Sequence, residues 1–267
     1  MFQPLYVAAT GLSATEDMVL NITNDLANAK TIAYKKIRSE MEDLFYIHKE
    51  FKDILNDAMS AEEPTPVNVE YGTGVRIAAT NHDFSQGTLE TTSRPLDLAI
   101  EGDGFFRVKM ADGTTYAYTR AGNFHADDQG NIVDPNGHIL DTELTLPEGT
   151  TSLVIQQDGT VYYAINNETT YSELGQISLV RFPNKYGLKN IGQNLYQATD
   201  SSGEEIIGTA GEESFGKIRQ YALEQSNVNV ITSMMDLVIA QKVFDTITKA
   251  VQSYETMLGN LTAMKQA

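Results

Sequence analysis

Apolar residues recur at alternating steps of four and three at both ends of this 267-residue chain. The first stripe runs Met1, Leu5, Ala8, Leu12, Thr15, Val19, Ile22, Leu26 and Ala29. The second runs Met234, Leu237, Phe244, Ile247, Val251, Tyr254, Leu258 and Leu261, with Gln241 at the one missing step. Such spacing draws a single apolar line down a helix, and the line needs a partner. It predicts helices over residues 1–29 and 227–264. The first is the weaker. Gly11, Asn21, Asn24 and Asn28 disfavour a helix interior, and the stripe is thin at Ala8, Thr15 and Ala29. Alone in water it is expected to fray until a partner covers it.

The middle has a different rhythm. Short runs rich in β-branched and aromatic residues, at 75–80, 96–100, 105–110, 116–119, 153–157, 161–164 and 177–182, are separated by turn signals. Asp112-Gly113 and Asp158-Gly159 each lie between two such runs, a strong hairpin signal. Residues 39–71 read as a connector. Phe45, His48, Phe51, Ile54 and Leu55 have partial helical spacing, but Pro64 and Pro66 rule out a regular helix through that stretch. The fold expected is α+β. An all-β domain over 72–224 is flanked by helical segments 1–38 and 225–267 that pair as a coiled coil.

Charge sharpens this division. The chain has 36 acidic and 19 basic residues, a net of -17. Residues 1–38 hold three acids and four bases, and 225–267 hold three of each, so the middle carries -18. A strongly charged surface resists non-specific association, whereas near-neutral striped helices can pack closely against copies of themselves. The balance disfavours nucleic acid, and no nucleic-acid partner is expected, since the only basic cluster is Lys30, Lys35, Lys36 and Arg38, at a helix end. There is no cysteine, so disulfides and thiolate metal sites are excluded. No run approaches the ~20 apolar residues of a membrane span, so no membrane insertion is expected. The first residues lack the basic and apolar regions of a cleavable signal, and export without signal cleavage is expected.

Candidate chemistry is sparse. Gly102-Asp103-Gly104 lacks the third glycine and following helix of a dinucleotide fingerprint. The Asp127-Asp128-Gln129-Gly130-Asn131 and Asp134-Pro135-Asn136-Gly137 segments fail the calcium-loop spacing and read as paired β-turns. His48, His82, His125 and His138 form no zinc-protease pattern. The residues suggest no catalytic site, cofactor or metal. The candidate functional residues are the stripe positions Leu5, Leu12, Val19, Ile22, Leu26, Leu237, Phe244, Ile247, Val251, Leu258 and Leu261, read as an assembly interface. Packing of these stripes within one chain is the open alternative.

Several segments together resemble the bacterial flagellar basal-body rod and hook protein family. Leu5-Tyr6-Val7-Ala8-Ala9-Thr10-Gly11-Leu12, Asn24-Asp25-Leu26-Ala27-Asn28 and Tyr34-Lys35-Lys36 are similar to its N-terminal motif. Arg94-Pro95-Leu96-Asp97-Leu98-Ala99-Ile100-Glu101-Gly102-Asp103-Gly104-Phe105-Phe106 resembles the signature opening its β-domain, and Tyr118-Thr119-Arg120-Ala121-Gly122-Asn123-Phe124 continues it. Ser226-Asn227-Val228-Asn229-Val230 resembles the entry to its C-terminal helix. The segment 36–46 and the chain length are most similar to the distal rod member. A proximal rod or hook-type axial subunit, and a secreted ligand-binding β-domain, are the alternatives. Ala33 departs from the family's usual glycine before an aromatic. The resemblance implies a structural, non-enzymatic subunit of the basal body. It would be exported by the flagellar export apparatus and polymerise helically with its own copies. Its implied partners are other rod, hook and bushing-ring proteins, and residues 39–71 would stiffen the rod.

Overall fold

The computed structural model describes residues 3–49, 69–110, 112–142, 144–165, 170–212 and 214–266. These fall into two compact units, one drawn from 1–26, 37–81 and 230–267, the other from 27–36 and 82–229.

The first unit contains helix α1 (Gln3–Ala27) and helix α2 (Val230–Gln266), close to the spans that the stripes predict. Two polar residues that weaken α1 by propensity are used by its surroundings. Asn21 Nδ2 donates to Ser39 Oγ at 2.8 Å, and the Ile37 amide donates to Asp25 Oδ1 at 3.0 Å. The same unit holds two strand pairs. Ile37–Asp43 pairs with Val75–His82, and Tyr46–Lys49 runs antiparallel to Val69–Gly72 with Tyr46 opposite Gly72. The described ends of the 39–71 connector are therefore extended. Phe45 and His48 are not helical, while Phe51, Ile54, Leu55, Pro64 and Pro66 lie outside the described residues.

The unit boundaries also differ from the expected ones. The run at 75–80 forms a strand as predicted, but it belongs with the helices. Residues 27–36 and 225–229, expected to belong with the helices, lie in the β unit. The physical reason is legible in Ile37–Asp43, whose Arg38, Glu40, Glu42 and Asp43 give no apolar alternation. Its ladder and side-chain bonds from Arg76 to Glu42 and from Asn81 to Glu40 tie it to Val75–His82 instead.

The second unit is built around a nine-stranded sheet. Phe105–Lys109 lies at its centre, paired with Tyr116–Thr119, Ile139–Leu140 and Ser178–Arg181. Both faces of this strand are buried, which explains its unbroken apolar start. Phe106 and Val108 enter one core with Leu98, Ile100, Phe124, Ile132, Leu179, Leu195 and Ile218. Phe105 enters another with Tyr118, Val180, Phe182, Leu188 and Tyr196. The period-two alternation of the strand sends neighbours to opposite faces. Both predicted hairpins are present. Asp112-Gly113 joins Phe105–Lys109 to Tyr116–Thr119, and Asp158-Gly159 joins Thr150–Ile155 to Thr160–Ile165. The Asp127 and Asp134 segments are turns as expected. Asp127 Oδ1 accepts from the Gln129 amide, and Asp134 Oδ1 accepts from the Asn136 and His138 amides, with Gly130 and Gly137 at positive φ.

Candidate assembly surface

The stripes are only partly covered, and the buried Ala14 and Asp25 of α1 and Ser233 and Ala240 of α2 lie off them. On α1, Ile22 is buried and Leu5, Leu12, Val19 and Leu26 are half-buried. On α2, Leu237, Ile247, Val251 and Leu258 are half-buried. The helices touch where Gly11 faces Ile247, since a Cβ on Gly11 would lie 3.3 Å from Ile247 Cδ1. Beside that contact runs an open apolar groove of about 840 Å³, lined by Val7, Ala8, Gly11, Val75, Ile247 and Ala250. Three apolar stripe positions of α2 stay in solvent in the single chain: Met234 is 50% exposed, Phe244 41% and Leu261 55%.

More apolar surface lies outside the stripe. Ile231 (73% exposed), Met235, Val238, Ile239 and Val243 present a second apolar face on the first half of α2. A helix that is apolar around most of its circumference belongs in an interior, and contiguous exposed apolar surface of this kind marks an interaction site. Sequence reasoning followed one stripe and missed this face. The signal was available in the steps of four and three from Ile231 to Met235 and Val238.

The segments where the helices join the β unit are held by a buried ion cluster that the sequence did not reveal. Lys35 and Glu224 are fully buried and Arg120 is 3% exposed. Lys35 Nζ donates to Glu224 Oε1 at 2.6 Å and to the Ser85 carbonyl at 2.7 Å. Arg120 Nε donates to Glu224 Oε2 at 2.9 Å, while Nη1 and Nη2 donate to the carbonyls of Gly104 and Gly102. Burial pulls the Lys35 ammonium below its usual range, and the adjacent Glu224 carboxylate opposes that pull. The Gly102-Asp103-Gly104 motif thus has a structural role. Its two glycines, at φ +112 and +143, turn carbonyls onto Arg120.

Asn227 completes the junction. The Lys36 amide donates to its Oδ1 at 2.8 Å, its Nδ2 donates to the Asp83 carbonyl at 2.8 Å, and its own amide bonds the Tyr34 carbonyl. Residues that follow α1 are therefore fixed to residues that precede α2. Ala33 sits in the same seam at φ +57, its amide donating to the Glu224 carbonyl at 2.8 Å. This left-handed conformation explains why glycine suits the position and why alanine is near the limit there. Ala33→Val is expected to destabilise the β unit by about 2 kcal/mol, because a β-branched residue is strained at positive φ and the site is closely packed. Urea unfolding followed by near-UV circular dichroism checks this.

Comparison with known proteins bears on the whole chain. Residues 99–163 match the family described as flagellar hook protein FlgE/F/G D1 domain, and residues 219–264 match flagellar basal body rod FlgEFG protein C-terminal. The flagellar basal-body rod protein FlgG of Borreliella burgdorferi is 37% identical over the full length of both chains. The protein of that name from Agrobacterium fabrum is 34% identical over 95% of each. Superposition on the Helicobacter pylori flagellar hook protein FlgE2 gives a TM-score of 0.24 at 16% identity, covering 63% of this chain and 47% of that one, which is too low to bear on the fold.

Proposed function

We propose, from the premise that this chain belongs to the FlgG family of flagellar basal-body rod proteins, that it is a structural subunit of the flagellar distal rod and transmits torque as part of a helical polymer of its own copies. The observation that carries this reading is the apolar surface that α2 leaves exposed in the single chain, Ile231, Met235, Val238, Ile239 and Val243 off the stripe and Met234, Phe244 and Leu261 on it. Apolar area of this kind stabilises association by about 25 cal/mol per Å² removed from water, and a head-to-tail contact between complementary surfaces propagates into a filament. Leu5, Leu12, Val19, Ile22, Leu26, Leu237, Phe244, Ile247, Val251, Leu258 and Leu261 are the contacts we assign to the seam, with the two stripes paired as a coiled coil. The acidic β unit keeps unassembled copies apart. Its partners would be other rod, hook and bushing-ring components and the flagellar export apparatus, which delivers it without signal cleavage to the basal body. Its work is mechanical, with no reaction to catalyse.

Hydrogen exchange on the dilute chain tests the reading. Amides of α1 and α2 should exchange far faster than those of Phe105–Lys109 in the monomer and become protected on assembly. Helices as protected in the dilute monomer as that strand would mean that they serve only to pack within one chain.

A further inference from the structure

Four of the arginines face carboxylates: Arg76 with Glu42, Arg94 with Asp97, Arg107 with Asp141 and Glu205, and Arg120 with Glu224. Arg38 and Arg219 are exposed, so solvent serves them. Arg181 differs from both groups. It ends the strand Ser178–Arg181, is half-buried, and its Nε is buried with no acceptor among the described residues. In a chain with nearly twice as many acids as bases, a partly buried guanidinium with no carboxylate bonded to it among the described residues is unexpected, because buried polar groups normally find a partner.

Its surroundings define what would fit. Arg181 opens onto a wide surface depression of about 780 Å³ lined also by Glu101, Asp103, Ser214, Phe215 and Lys217. The Phe215 ring lies 5.9 Å from the guanidinium carbon and forms an apolar wall. Asp103 lies within the field of Arg181 but is bonded to Lys185, at 2.5 Å, so the two cations share one carboxylate. Glu101 stands opposite Lys217 across the strand pair, so these two charges offset one another. What remains is one unbalanced positive charge with planar donors, a hydroxyl on the rim and an apolar side. That is the complement of a carboxylate on a short aliphatic stem.

We infer that this depression is a socket for an Asp or Glu side chain of a second copy of the chain. Charge complementarity selects the occupant. The β unit, residues 27–36 and 82–229, holds 21 acids against 12 bases, so every approaching copy presents carboxylates, and copies of like charge need a site that accepts one if their β units are to meet. The inference rests on the self-assembly reading above.

Sedimentation of the purified full chain tests it, with near-UV circular dichroism to confirm folding. Arg181→Gln should weaken self-association about tenfold or more, the usual consequence of removing one partner of a desolvated charge pair, and Arg181→Lys should recover part of the loss. Ser214→Asp, which leaves Arg181 in place but puts a carboxylate at the rim from the same chain, should weaken association too, and it decides the matter if Arg181→Gln fails to fold. Wild-type association in folded Arg181→Gln, or in Ser214→Asp, would overturn the socket while leaving the assembly reading intact. A wild-type chain that does not associate at all would overturn both.

Discussion

Glu224→Gln is expected to destabilise the β unit by about 3–5 kcal/mol. Among the described residues the carboxylate is the only anion bonded to two buried cations, Lys35 and Arg120, and its Oε1 also accepts the Gly87 amide at 2.9 Å. Glutamine keeps the shape and one acceptor but removes the charge, leaving an ammonium and a guanidinium buried without compensation. Removing one partner of a buried pair has a cost of this size because the remaining charge cannot return to water. Lys35→Met should cost less, since Arg120 still balances Glu224. Chemical denaturation of the two variants beside the parent chain checks the order and the size. A Glu224→Gln loss under about 1 kcal/mol would mean that hydrogen bonding, rather than charge, holds the cluster.

Leu26→Asp and Val251→Asp should each reduce self-association by at least about a hundredfold while the β unit stays folded. Both positions are half-buried on the stripes, and a carboxylate forced into an apolar seam without a partner costs several kcal/mol, where each 1.4 kcal/mol is a factor of ten. Sedimentation measures the association, and the near-UV signal of the buried Phe105, Tyr118 and Tyr196 reports the β unit. If both variants assembled like the parent chain, the stripes would not be the contact.

Much of the fold was legible because its signals are local. A stripe at steps of four and three, or an Asp-Gly between two β-branched runs, needs only neighbouring residues to be read, and both helices and both hairpins follow from such patterns. The ion cluster is different in kind. Lys35 and Glu224 are 189 positions apart and Arg120 and Glu224 are 104 apart, so no window along the chain contains the interaction. In a chain this acidic, one glutamate carries no distinguishing mark. Ile37–Asp43 escaped for another reason, being a strand whose charged residues leave no alternation to read. The division into units shifted accordingly, with a strand pair joining the helices and both junction segments joining the β unit. The resemblance pointed to Tyr34-Lys35-Lys36, Arg120 and Asn227 as motif residues, and the structure supplies the physical reason by bringing them together. On α2, sequence reasoning followed one stripe and overlooked the second apolar face, because a regular seam was sufficient to explain the helix.

The central claim is that this chain is built to polymerise through its terminal helices. Electron microscopy of the purified full-length chain, concentrated and then imaged, tests it most directly. The account predicts rods of uniform diameter with helical order, absent from Val251→Asp prepared in the same way. A chain that remained monomeric at every concentration, or rods that formed equally well from Val251→Asp, would contradict it.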